Sequence, residues 1–286
     1  IHAGAGVRLE AETIQLNAAT VTALNGDVQF SGNVELGGYA QTVLLGGPAA
    51  YWRLGEAAGP AVNDATASGH NGTADAGVAF AQASLLPGEP GNTAVRTSGN
   101  DRITVPGFEK LPAAATGYSA EYWVTVNADP GGYRNIVGDG ESGGDFYFMN
   151  YLTPARRLRP HYSFAILPPS TDSNTQLTVG QTYYVVTTWD RSTGEANIYI
   201  DGALDKSITT TVAPPPSNTD NPVYLGRDNR EPGGDFTLDE VAFYARPLSA
   251  EEVAQRHAAA QASGSSVTAA NGNVIFNGTV DGTLAG

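Results

Sequence analysis

The sequence predicts an all-β fold: an antiparallel two-sheet sandwich with one short helix near its C-terminal end, flanked on both sides by short-strand repeats. Three observations carry that reading. Runs rich in Val, Ile, Tyr and Thr alternate with clusters of Gly, Pro, Asn and Asp. The first 36 residues repeat with a period near seven. The same repeat returns beyond residue 266. Three segments follow: 1–41 as an N-terminal repeat stalk, 42–261 as the sandwich, and 262–286 as a C-terminal repeat stalk.

In the N-terminal segment Val7, Ile14, Val21 and Val28 share one column, and Leu9, Leu16, Ala23 and Phe30 share a second. A coiled coil fails. With Val7 at position a, the d positions fall on Glu10, Asn17, Leu24 and Ser31, three of them polar. Within each unit apolar residues recur at i and i+2, the strand period. Asn25-Gly26 and Ser31-Gly32 supply turn chemistry between units. Each unit therefore reads as a short strand plus a turn. Residues 267–280 repeat residues 21–34 at nine of fourteen positions, turn glycines included. The chain is a repeat array with a globular domain inserted in it. Seven extended residues reach roughly 23 Å, too short for one chain to wrap a core of its own. Three chains are expected to close around a shared apolar axis as a homotrimer. The arrangement resembles the triple-stranded β-prisms and β-helices of bacteriophage tail spikes and fibres. Flexible polar extensions, the alternative, would not keep columns of Val, Ile, Leu and Phe.

In the inserted domain, residues 118–126, 183–190, 195–200, 223–226 and 240–244 read as strands, with Asp201-Gly202 as a tight hairpin turn. One helix is clear. Ser249 N-caps it, Glu252 completes a capping box, and it runs through Ala250 to His257. Four stretches then resemble laminin-G-like domains of the concanavalin A-like lectin/glucanase superfamily, in that family's order over some 210 residues. They are Ala50-Tyr51-Trp52-Arg53-Leu54-Gly55-Glu56, the loop from Asn63-Asp64 through Ser68-Gly69-His70-Asn71-Gly72-Thr73, the hairpin Asn197-Ile198-Tyr199-Ile200-Asp201-Gly202, and Leu238-Asp239-Glu240-Val241-Ala242-Phe243-Tyr244-Ala245-Arg246-Pro247-Leu248-Ser249. The resemblance implies a two-sheet jelly roll with one curved face.

Composition excludes several partners. A net charge of −14 with only two lysines, Lys110 and Lys206, offers no footprint for phosphate backbones or anionic lipid. No run approaches 18 apolar residues, and no basic start followed by an apolar stretch marks a signal peptide. The opening Ile1 reads as numbering that begins inside a longer or processed chain. The absence of cysteine removes disulfides, thiolate catalysis and zinc–cysteine sites together.

The resemblance also implies a structural Ca²⁺, held by the Asp64 loop and the terminal acidic strand. The candidate donors are Asp64, Ser68, Asn71 and Asp239, hard oxygens beside glycines that let carbonyls turn inward. The alternative is a hydrogen-bonded Asx turn. Gly140-Glu141-Ser142-Gly143-Gly144 matches G-x-S-x-G, but a strand follows it where that motif needs a helix. Catalytic glucanases of the superfamily carry two glutamates on one strand with an aspartate between, and no E-x-D-x-x-E occurs here. Nor does a close carboxylate pair sit on a strand facing the expected groove, as glycoside hydrolysis requires. His2, His70, His161 and His257 show no ligand spacing. Trp52, Trp123 and Trp189 are assigned to the core.

Planar guanidinium donors and flat rings suit sugar hydroxyls and faces. Tyr133, Arg134, Asp139, Tyr147, Arg157 and Tyr162, in the middle strands and their loops, are the candidate carbohydrate-binding residues. Tyrosines there can instead fill the sandwich. Arg156, Arg157 and Arg159 stand out in an acidic chain and suit an anionic sugar or a neighbouring subunit's carboxylates. The expected function is a non-catalytic, lectin-like virion protein, a bacteriophage tail fibre or minor tail protein. Its expected place is the tail fibre or tail tip, otherwise outside the cell. Its expected partners are host-surface carbohydrate, other copies of itself and other tail proteins. The alternatives are a structural or decorative virion domain and a polysaccharide-degrading spike.

Overall fold

In the computed structural model, the strand Gly117–Val126 pairs antiparallel with Thr182–Asp190 on one side and with Phe236–Tyr244 on the other. The structure describes residues 2–3, 7–17, 20–23, 25–110, 112, 114–140, 148–162, 165–166, 171–212, 221–261, 266–269, 273–276 and 280–281. Alternation decides which side chains enter the core. Tyr118, Ala120, Tyr122, Val124 and Val126 join it, while Ser119, Glu121, Trp123 and Thr125 face the other way. The hairpin at Asp201-Gly202 has φ of 51° and 80°. Two successive left-handed residues are what a tight two-residue turn of that hand demands.

Residues 47–85 and 90–257 form one compact unit. It holds two antiparallel sheets. The larger runs Ala203–Thr209, Glu195–Ile200, Thr182–Asp190, Gly117–Val126, Phe236–Tyr244, Thr93–Thr97 and Ala79–Ala83, with Ala50–Trp52 also on Phe236–Tyr244. The smaller runs Leu158–Tyr162, Phe148–Leu152, Arg134–Gly138, Val223–Gly226, Arg102–Val105, Gly72–Ala74 and Ala61–Val62. Side chains of both sheets interleave in one hydrophobic cluster that includes Trp52, Trp189, Tyr118, Phe148 and Phe243. Trp52 and Phe243 meet edge-to-face with centroids 5.6 Å apart. Trp123 is buried on the opposite face of its sheet, against Tyr184 at 5.1 Å.

The helix Ala250–Gln261 begins as the capping box requires: Ser249 N–H donates to Glu252 Oε2 at 2.9 Å, and Glu252 N–H donates to Ser249 Oγ at 3.2 Å. Its His257 stacks on Tyr184 at 5.8 Å and on Trp123 at 6.0 Å. Beside them Glu121, fully buried, accepts the hydroxyls of Tyr184 and Tyr244 at 2.8 Å each and lies 3.5 Å from Arg256. Four groups far apart in sequence thus satisfy one interior charge.

Residues 1–46, 86–89 and 258–286 form the second unit. Here strands are parallel. Val7↔Val28↔Val274 and Leu9↔Phe30↔Phe276 are register partners, as are Ala3↔Ala23↔Ala269. Val28 follows Val7 by 21 residues, three seven-residue units. The chain therefore stacks two rungs, runs through the sandwich, and adds a third rung from its C-terminal segment. Val267↔Val21 and Val280↔Val34 show that the sequence repeat is the stacking register. Three expectations change. The layers come from one chain, where three chains were expected to supply them. The units are not each a strand plus a turn, because Val7–Asn17 and Val28–Gly37 run through several units. Ser31-Gly32 lies inside a strand, since its backbone is held by the ladder (Ser31↔Glu10), whereas Gly26 takes φ 89° at a real turn. A second helix, Tyr39–Leu45, follows, its Tyr39 N–H donating to Glu89 Oε1 at 2.8 Å. No helix among the described residues is long and apolar enough to cross a membrane.

Candidate functional site

The Asp64 loop is closed by its own hydrogen bonds. Asp64 Oδ1 accepts the N–H groups of Tyr51 at 3.0 Å and Thr66 at 2.9 Å. Its Oδ2 accepts the Thr66 hydroxyl and the His70 N–H, each at 2.9 Å. A carboxylate offers about four lone-pair sites, and all are taken. Asn71 Oδ1 accepts Asp64 N–H at 2.8 Å, while Ser68 is exposed. Asp239 is buried and accepts Leu85 N–H at 3.0 Å and Asn92 Nδ2 at 3.2 Å. Asp64, Ser68, Asn71 and Asp239 therefore do not fit the expected Ca²⁺: N–H and O–H donors stand where a cation would need bare oxygens. Among the described residues no group of three or more acidic or histidine side chains could hold a metal ion.

The terminal acidic strand does something else. Leu238 and Val241 both enter the core, so Asp239 and Glu240 bulge outward together. Glu240 adopts φ 54°, and the ladder to Gly117–Val126 shifts register at this point. Glu240 Oε1 accepts Arg53 Nη2 and Asn92 Nδ2 at 2.9 Å each, and Oε2 accepts the Tyr51 hydroxyl. Burial first, then the Glu240 charge, push the Asp239 carboxyl well above its ordinary range. A polar cleft of about 320 Å³ borders this network, lined by Arg53, Gly55, Glu56, Asn63 and Asn92. Sequence reasoning missed Tyr51, Arg53, Asn92 and Glu240 as a unit, although three of them lie in the two quoted family stretches.

The six candidate carbohydrate residues separate. Tyr162 is 2% exposed and packs edge-on against Tyr118 at 6.3 Å, so it is a core residue and its assignment is corrected. Asp139 is corrected too. It is fully buried, 3.3 Å from Lys110 Nζ, and its Oδ1 accepts Phe148 N–H at 2.9 Å. Tyr147, and the Glu141–Gly144 part of the G-x-S-x-G match, lie outside the described residues. Tyr133, Arg134 and Arg157 remain on the surface, at the edge formed by Leu158–Tyr162.

That edge is a prepared surface. In Leu158–Tyr162 Leu158 and Tyr162 enter the core, so Arg157, Arg159 and His161 face outward. Arg159 holds Tyr133 in two ways. Its Nη1 donates to the Tyr133 hydroxyl at 3.1 Å, and its guanidinium lies 5.3 Å from the ring centroid. Asp172 fixes Arg159 from the other side at 2.5 Å. The Tyr133 ring is still 41% exposed. Arg134 Nη1 donates to Tyr133 O at 2.8 Å, and Arg157 Nη1 donates to the carbonyls of Ser173, at 2.7 Å, and Asn174. Burial, with Arg230 and Arg159 nearby, holds the His161 imidazole below its ordinary pKa. Sequence reasoning named Tyr133 but not its clamp, Arg159 with Asp172, which only the fold brings together.

The family described as the concanavalin A-like lectin/glucanases superfamily, of laminin-G type, matches residues 97–254. No curated protein sequence matches the chain. Among solved structures, the Trypanosoma rangeli sialidase is 18% identical with a TM-score of 0.56, over 74% of this chain and 32% of that one. The receptor-binding domain of botulinum neurotoxin type G is 16% identical with a TM-score of 0.52, over 73% and 50%. Domain 4 of AbnA, an extracellular arabinanase of Geobacillus stearothermophilus solved with arabinotriose, is 17% identical with a TM-score of 0.55, over 73% and 98%. This chain thus spans about a third of the sialidase and nearly all of the arabinanase domain.

Proposed function

The chain belongs to the concanavalin A-like lectin/glucanases superfamily, and from that premise we propose that it is a non-catalytic glycan-binding module whose ligand surface is the edge around Tyr133. One observation carries this: an exposed tyrosine ring held by the Arg159–Asp172 clamp, a rigid platform for a sugar face with guanidinium donors beside it. The arabinanase domain of like fold, solved with arabinotriose, supports the ligand class. Absence of turnover is part of the reading. The nearby carboxylates Asp172 and Asp129 are each tied to an arginine, Arg159 and Arg156. Neither is placed as the acid or nucleophile of a glycosidase pair.

We place this module on the outside of a bacteriophage tail, as a tail fibre or minor tail protein that contacts host-surface carbohydrate. The stacked repeat rungs on either side of the insertion support that placement. So do Leu44, Leu45 and Val274 of the flanking unit, large apolar side chains exposed on a single chain and available for three copies to cover. The test is binding of the full chain to host cells and to extracted surface polysaccharide. Tyr133→Ala should abolish adhesion with an unchanged melting temperature. Equal adhesion to cells stripped of surface glycan would leave the decorative role, and release of reducing sugar would make the protein a degrading spike.

A further inference from the structure

The charge around Tyr133 is unlike that of the rest of the molecule. The whole chain carries −14. Four arginines, Arg134, Arg156, Arg157 and Arg159, surround this edge, against Asp129, Asp172 and Asp205. Arg156 and Arg159 are neutralised by Asp129 and Asp172 at 2.8 and 2.5 Å. Asp205 accepts the N–H groups of Asn174 and Thr175 at 2.6 and 2.9 Å. Arg134 and Arg157 are different: their hydrogen bonds go only to backbone carbonyls, of Tyr133, Ser173 and Asn174. Those bonds use one nitrogen of each guanidinium and fix its position without cancelling its charge. The other N–H donors of each fork stay available. Both groups are half-buried, so water screens them less than it would a free side chain.

We propose that the glycan bound at this edge is acidic, with its carboxylate, sulfate or phosphate taken by Arg134 and Arg157 while a sugar ring lies on Tyr133. The inference rests on the glycan-binding reading and narrows it. An arginine fork matches an oxyanion with two parallel N–H···O bonds. A neutral sugar would leave both charges in place and gain only the ring contact. In a strongly acidic chain an anionic polymer is repelled everywhere else, so the local arginines also set where it lands.

The experiment uses the full chain on a printed array of paired oligosaccharides, each uronate-, sulfate- or phosphate-bearing glycan beside its neutral counterpart. Acidic members should bind about tenfold or more tighter than their partners, and the difference should shrink as salt rises from about 50 to about 500 mM. Arg134→Ala and Arg157→Ala should each reduce the preference while neutral members bind as before, and Tyr133→Ala should weaken both classes. Equal or better binding of neutral members overturns the acidic assignment and leaves the glycan-binding reading standing. Binding to no member overturns both. A preference that survives the Arg134→Ala/Arg157→Ala double variant overturns the assignment to this edge.

Discussion

Asp228 is fully buried, with Oδ1 accepting the N–H groups of Arg230 and Glu231 at 2.9 and 2.5 Å and Oδ2 meeting no donor. Burial pushes its carboxyl up to about 6. The folded state therefore keeps a proton that the unfolded chain releases near 3.8. Its contribution is fully present below the unfolded value and is lost as pH rises through about 6, on the order of 2–3 kcal/mol over two units. Asp228→Asn should raise the melting temperature at pH 7.5 and make its decline between pH 4.5 and 6.5 shallower. The decline should not vanish, because Asp239 is raised as well. An unchanged pH profile would show that Asp228 is not the group responsible. Asp64 is the opposite case, a carboxylate with every lone pair filled. Asp64→Ala should destabilise by roughly 2–4 kcal/mol, and chelator should leave the wild-type melting curve where it is. A curve that falls with chelator would restore the calcium expectation. The Asp64 loop was legible in the sequence because all its partners but Tyr51 lie within seven residues. Asp228 was not, since its enclosure comes from Gly140 and Met149, far away in sequence.

At the scale of elements, the terminal helix is anchored twice. Its first turn is held by the capping box and by Arg246, whose Nη2 reaches Glu252 at 2.6 Å. That contact is the main reason the Glu252 carboxyl falls to about 2. Its inner face carries Arg256 to Glu121. Removing one member of a buried pair leaves an uncompensated charge, so Arg256→Ala should cost about 3–5 kcal/mol. The Glu121→Gln/Arg256→Met double variant should recover most of that loss. If the double variant is as unstable as the single, helix packing and not charge explains the effect. Strands and helix start were legible here because alternation and capping are local signals. The Glu121 network was not, because residues 121, 184, 244 and 256 meet only once the sheet is built and the helix covers it. The same reason hid the clamp on Tyr133: Asp172 and Arg159 are neighbours only across a loop whose path no periodicity reports.

For the whole molecule, the question is what the three stacked rungs are for. The rungs bury Val7, Val21, Val28 and Phe30 within one chain, so the flanking unit has a core without a partner. A solenoid of three rungs still has two open edges, and Leu44, Leu45 and Val274 are exposed on it. An unpaired edge beside apolar side chains is a template for association. The expected outcome is a trimer in light scattering of the full chain. Phe30→Asp should return it to monomer or unfold the flanks, since an unpaired charge in an apolar core is costly, while the near-ultraviolet signal of the tryptophan-bearing sandwich persists. Function follows from the count. One Tyr133 edge makes a few stacking and hydrogen-bonding contacts, worth millimolar to micromolar affinity at about 4–8 kcal/mol. Three edges on one support raise avidity by about 10² or more if their spacing fits the surface. The trimer should therefore stay on host cells through washes that remove Phe30→Asp. A monomeric wild type that adheres equally well would show that each edge binds tightly by itself and that the rungs serve only to carry the domain.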